Sequence, residues 1–205
     1  MIAMTAPRRA YIDESILKTT PFRVRYLMTA VVTQKNEEVT RNALVQTFPN
    51  IINFKTSNHY RRKNGDPLQE MLELVPIHVE HVVSTSTTCN QEKIEYARSL
   101  VLSALLHELD RLEVVSVILD TRSSGHDRKK NNPDLRDSIL LENHKLEGLI
   151  SRSMVMEHRD DKNDCLLALP DMCGWVVNHL ISGDVAHRFW APIQDLTSIH
   201  KVEYD

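Results

Sequence analysis

The run from Glu113 to Leu119, EVVSVIL, constrains the fold more than any other stretch of the chain. Valine and isoleucine are stiff at χ1 and suit the pleated surface of a strand. Here they follow one another with Ser116 as the one polar interruption, which marks a central strand of a sheet. The run ends on Asp120, so a buried strand delivers a carboxylate to its own exit.

Further strands are expected at 10–14, 23–34 (RVRYLMTAVVTQ), 76–84 (PIHVEHVVS) and near 153–157, the first two able to pair as a hairpin. Helices are expected at 35–48, stopped by Pro49 and Asn50, and at 66–74, with Asp66 as N-cap, Pro67 in the first turn and Gln69 at the capping-box position. A longer helix over 90–111, behind a second capping box of Thr88 and Gln91, buries Ile94, Ala97, Val101, Ala104, Leu105 and Leu109. Two more follow at 134–147 and from Pro170 to Ile181, with Gly183 just past the end. The tail from Asp184 has no assignable pattern. This order is α/β with a mixed sheet rather than a strictly alternating, doubly wound one.

A chain of 205 residues with 41% apolar content supports one domain with a core of its own. No apolar run approaches the ~18 residues of a membrane span, and MIAMTAPRRA lacks the apolar core of an export signal. Cys89, Cys165 and Cys173 form no CxxC pair, which fits buried thiols in a reducing cytoplasm. The net charge of −3 argues against a general nucleic-acid coat but allows local basic strips. Two stand out. Arg122, Arg128, Lys129 and Lys130 lie with Asp127 in the loop after Asp120, and Arg61, Arg62 and Lys63 follow His59. Either is equally a solvated loop.

Several chemistries are absent by motif. The ten histidines show neither HExxH nor Cys/His finger spacing, and GxGxxG, GxxxxGK[ST] and GxSxG do not occur. Cys173 lies beside Asp171, whose charge disfavours a thiolate, so it reads as a packing thiol.

What remains is carboxylate chemistry. Asp13 and Glu14 sit in the first strand (RAYIDES, 9–15), Asp120 follows the central strand, and Asp171 opens the last helix. Crowded carboxylates repel one another unless a cation compensates, and Mg²⁺ or Mn²⁺ prefers oxygen ligands. Taken singly, each acid is equally a solvated strand end, a turn residue or a first-turn acid complementing the helix dipole. Successive side chains of a strand face opposite ways, so Asp13 and Glu14 do not ligate one ion equally.

Taken together, YIDES at 11–15, VVSVILD at 114–120 and LALPDMCGW at 167–175 resemble the domain of unknown function 3800 family. In that family a Y-[IV]-D-E-S-G strand opens the domain, an apolar strand ends on Asp, and a Q-x-A-D-x-x-A helix closes it. The resemblance implies a ribonuclease H-like domain over residues 9–183, with a lead at 1–8 and an extension at 184–205. It makes Asp13, Asp120 and Asp171 the metal ligands and Glu14 a fourth or supporting carboxylate. Mg²⁺ or Mn²⁺ is then the cofactor, and hydrolysis of RNA or DNA phosphodiesters the activity. The basic residues Arg61, Arg62, Arg122, Arg128, Lys129 and Lys130 would contact nucleic acid, and His59 answers to a histidine of many family members.

The chain departs from the pattern at Ile16 (for Gly), Ala168 (for Gln) and Pro170 (for Ala). The alternative is therefore an inactive module of the same fold that binds nucleic acid or a protein partner. A third reading is an interaction protein that pairs with a second copy through its tail.

Overall fold

The computed structural model describes residues 7–33, 36–51, 56, 66–122 and 132–204. Strand β1 (Arg8–Lys18) and strand β2 (Arg23–Thr33) form an antiparallel hairpin, registered from Ala10 opposite Val32 to Lys18 opposite Val24. Helix α1 (Glu37–Thr47) follows, its Val39 amide capped by the Asn36 side chain, and then helix α2 (Asp66–His78). Next come strand β3 (Val79–Asn90), helix α3 (Ile94–Arg111) and strand β4 (Val114–Asp120). The order closes with helix α4 (Pro133–Leu146), strand β5 (Val155–Arg159), helix α5 (Ala168–Ser182), helix α6 (His187–Trp190) and strand β6 (Thr197–Lys201).

One six-stranded sheet runs β5-β4-β1-β2-β3-β6, and β2 alone opposes the direction of the others. Side-chain alternation sends apolar residues to both faces, so each face needs cover. Ile12, Tyr26, Met28, Val117 and Leu119 pack under α3 and α4. Tyr11, Val31, Val82 and Ile118 pack on the other face with residues of α1, α2 and α5. The class is α/β, a mixed central sheet flanked by helices, as the sequence led one to expect.

Three local readings are corrected. The strand expected at 76–84 begins at Val79, because Pro76, Ile77 and His78 finish α2, and it continues through the polar stretch STSTTCN to Asn90. Those hydroxyl residues resemble a loop, yet Ser84, Thr85, Ser86 and Thr87 are buried in the sheet, with Ser84 Oγ 2.8 Å from Thr29 Oγ1. The second capping box therefore does not form. Thr88 pairs with Arg25 across the sheet, and Gln91–Lys93 is a 3₁₀ turn ahead of α3. Finally, Cys165–Ser182 is long and apolar enough to cross a membrane by length and composition alone, contrary to the reading that no run approaches a span. Its buried positions face the sheet core, and that packing supplies the physical reason for its apolarity.

The tail from Asp184 is ordered by the same sheet. β6 runs parallel to β3, from Thr197 beside Val82 to Lys201 beside Ser86, and Val202 N donates to Ser86 O.

Helix α5 is aligned along β1. Asn178 Nδ2 donates to Ser15 Oγ at 2.9 Å, and Arg25 Nη1 donates to Asn178 O at 3.1 Å. Gly174, on the same stripe, lies so near the sheet that a Cβ there would sit 3.1 Å from Thr29 Oγ1. Thr29 is the cross-strand partner of Asp13, so this contact sets the height of α5 above the site. Gly174→Val is expected to destabilise the protein by about 1–3 kcal/mol through overpacking, measured as a lowered midpoint in urea at unchanged m-value.

Candidate metal centre

The parallel pairing of β1 with β4 creates the site. Its last register pair is Ile12 with Leu119, and the next residue on each strand is Asp13 and Asp120. Tyr11 and Ile118 belong to the core under α5, while Ile12 and Leu119 belong to the core under α3. By alternation Asp13 and Asp120 project to the α5 face, and Glu14 to the α3 face. Asp120 Oδ1 accepts a hydrogen bond from Asp161 N at 3.1 Å, just beyond β5.

Asp171 opens α5 on the same face, one turn before Gly174. Its Oδ2 accepts two hydrogen bonds from Thr56, from the backbone N at 3.0 Å and from Oγ1 at 2.9 Å. The start of this helix is held by Asp164, a buried carboxylate that accepts from Arg41 Nη1 at 2.5 Å and Arg159 Nη1 at 2.8 Å. Burial opposes its ionisation, but the hydrogen bonds from Arg41 and Arg159 outweigh this and keep the carboxyl below its usual range. The Cys173 thiol, fully buried in the same helix, is pushed up to about 12 by burial and then by the charge of Asp171. It is a packing thiol.

Glu14 enters a different set of bonds. It accepts from Tyr26 Oη and from Arg98 Nη1, and its Oε1 lies 3.6 Å from Arg122 Nε. Arg98, 4% exposed on α3, also donates Nε and Nη2 to Asp137 Oδ1 and Oδ2 at 3.1 and 2.6 Å. His158 Nε2 lies 3.4 Å from the same Asp137. Burial would raise the Asp137 carboxyl, but the hydrogen bonds from His158 and Arg98 hold it below its usual range. Arg122 donates Nη2 to Glu95 at 2.6 Å, and its buried Nη1 has no hydrogen-bond partner among the described residues.

A cleft of ≈ 30 Å³ is lined by Asp13, Glu14, Arg98, Asp120 and Arg122 together with Ile12, Met28 and Leu119. It therefore brings together Asp13, Glu14, Asp120 and Arg122 of the residues singled out by sequence. Asp171 is on the α5 face but does not line the cleft. Among the described residues, no three His, Cys, Asp or Glu side chains are gathered to hold an ion. His59, Arg61, Arg62, Lys63, Asp127, Arg128, Lys129 and Lys130 lie outside the described residues. The pair Asp13 and Asp120 offers hard oxygen donors alone. That fits Mg²⁺, which is commonly held by one or two carboxylates with water and phosphate completing its shell.

Sequence reasoning missed Arg98, Asp137, His158 and Thr56. Arg98 carried a signal: it falls on the stripe of Ile94, Val101 and Leu105, and an arginine inside an apolar stripe needs buried acceptors. Asp137 lies one turn before the buried Leu141 in the same way. Thr56 carried none.

No family model matches the chain, and no curated protein matches it. Among solved structures it is similar to ribonuclease H2 from Pyrococcus horikoshii OT3, at 10% identity and a TM-score of 0.49, covering 86% of this chain and 74% of that one. It is also similar to Bst-RNase HIII in complex with Mn²⁺, at 10% identity and a TM-score of 0.35, covering 88% of this chain and 57% of that one. A mutant of Bst-RNase HIII gives 10% identity and a TM-score of 0.36, with 87% and 56% covered. The mixed six-stranded sheet agrees with the α/β class expected from the sequence.

Arg98→Met leaves Asp137 and Glu14 without their guanidinium and is expected to cost about 3–5 kcal/mol in urea unfolding. A double variant with Asp137→Leu should recover part of that loss. Because the folded-state pKa of Asp137 is depressed, its contribution is complete above the unfolded value of 3.8 and is lost as pH falls through the folded value. The stability gap between the wild type and Asp137→Asn should therefore narrow as urea titrations move from pH 7 to about pH 3.

Proposed function

We propose that the protein hydrolyses phosphodiester bonds of RNA or DNA with a divalent cation, Mg²⁺ or Mn²⁺, at Asp13 and Asp120. The observation that carries this reading is the side-by-side placement of those two carboxylates, Asp13 midway along β1 and Asp120 at the end of β4, both lining a cleft that also holds Arg98 and Arg122. Two like charges at that spacing favour a bound cation to compensate them. The resemblance of YIDES, VVSVILD and LALPDMCGW to the domain of unknown function 3800 family supports the same assignment and adds Asp171 as a ligand.

Within this reading the cation supplies Lewis acidity and a lowered pKa for bound water. The chain's own residues do the rest. Asp13 and Asp120 hold and orient the ion. Arg122 meets phosphate oxygens: its guanidinium is fixed by Glu14 and Glu95, and the buried Nη1 has no acceptor among the described residues. A buried donor left unsatisfied costs about 1–3 kcal/mol, which an anionic oxygen at that position would relieve. Burial favours the neutral guanidine, but the bond to Glu95 outweighs it and keeps Arg122 charged.

A non-cleaving module is the second reading, favoured by the engagement of Asp171 with Thr56 and by Ile16 and Ala168 at motif positions. Labelled single- and double-stranded RNA and DNA, incubated with Mn²⁺ or with chelator, separate the two. Cleavage should require metal and fall at least about a hundredfold in Asp13→Asn and Asp120→Asn. Binding without cleavage, indifferent to metal and to both substitutions, identifies the module.

A further inference from the structure

Resting on the reading of Arg122 as a phosphate contact, we propose that Asp134 is the positioning residue of that arginine. Its carboxylate clamps the chain directly after Asp120 and thereby aims the guanidinium at an oxygen of the nucleic-acid backbone. Asp134 opens α4, where the Asn132 side chain accepts from its backbone N at 3.1 Å. The two oxygens of Asp134 each take a donor from the chain leaving β4. Oδ2 accepts from Thr121 Oγ1 at 2.7 Å, and Oδ1 accepts from Arg122 N at 3.1 Å. Thr121 is held from β5 as well, its N donating to Arg159 O at 2.8 Å. With two successive residues of main chain fixed, only side-chain torsions are left to place the Arg122 guanidinium.

Those torsions are fixed from α3. Glu95, in its first turn, accepts from Arg122 Nη2 at 2.6 Å, and its other oxygen accepts from Arg136 Nη1 at 3.4 Å. The start of α4 therefore reaches Arg122 by two routes, through Asp134 on the main chain and through Arg136 by way of Glu95. Helix α4 is itself tied to α3 by the fork of Arg98 on Asp137. Arg122 lines the cleft with Asp13 and Asp120, and among the described residues its Nη1 has no acceptor. A guanidinium is a rigid planar fork, so fixing its backbone and one arm fixes the direction of the other. Charge alone makes the opposite demand. A carboxylate beside a phosphate site repels the ligand, so deleting it should tighten binding, whereas loss of a positioning group should weaken it. The two roles differ in sign.

The test is binding of labelled single- and double-stranded RNA and DNA to the full chain over a range of salt, in chelator so that no metal-dependent cleavage intervenes. The wild type is compared with Arg122→Gln, Asp134→Ala and the double variant, with thermal midpoints recorded alongside. Arg122→Gln should weaken binding about tenfold and lower the salt slope by about 1. Asp134→Ala should weaken it about three- to tenfold, against the sign of its charge, and add nothing in the Arg122→Gln background. If Asp134→Ala does not fold, Asp134→Asn replaces it, because an amide keeps one acceptor oxygen and loses the other.

Unchanged or tighter binding by the Asp134 variant, with Arg122→Gln impaired, overturns the positioning role and leaves the phosphate contact intact. A loss of the same size in both backgrounds assigns the effect to the fold at large and overturns the role as well. Wild-type binding by Arg122→Gln, or no binding of any probe by the wild type, defeats the phosphate reading on which the proposal rests.

Discussion

Parallel pairing of β1 with β4 brings Asp13, midway along β1, beside Asp120 at the end of β4. Two carboxylates on neighbouring strands repel each other, and the cleft they line also holds Ile12, Met28 and Leu119. The protein places guanidinium groups close by. Arg98 is sunk into the α3 side of the sheet and Arg122 stands at the exit of β4, each held by carboxylates from other elements. Their charge is balanced by Glu14, Asp137 and Glu95 rather than by the two aspartates.

Arg98 ties several elements together. Its fork reaches Asp137 on α4, and its remaining nitrogen reaches Glu14 on β1 and Tyr26 on β2. An ion pair at this depth costs several kcal/mol per ion to desolvate, so its net gift to stability is small while its removal in part is severe. What it secures is register: α3, α4, β1 and β2 must meet at one point for all the donors to be satisfied. On the opposite face Asp164 does the same for α1, β5 and the start of α5 through Arg41 and Arg159.

The architecture was readable from the chain wherever periodicity and apolarity coincided. EVVSVIL gave the inner strand, and the stripe from Ile94 to Leu109 gave α3. The Asp120 carboxylate followed from the end of its strand, whereas β1, expected over 10–14, runs on to Lys18 and leaves Asp13 in mid-strand. Reading failed where burial was polar: Ser84 to Thr87 are hydroxyl residues that resemble a loop, and nothing local shows that a sheet will enclose them. It failed again at Thr56, which donates to Asp171 across 115 residues of sequence. Periodicity reports how a segment faces a core, not which distant donor it will meet.

The place of β6 carries a kinetic consequence. β3 is twelve residues long, and its outer edge is covered by a strand that joins it in parallel from far along the sequence, Val82 meeting Thr197. Closing so long a loop is entropically late, and parallel pairing between remote segments is slow. On a growing chain β3 would therefore carry open hydrogen-bonding groups while β1 and β2 are already joined. An open edge of that length is a template for other nascent chains. The short strand Thr197–Lys201 covers part of that edge from within the chain itself.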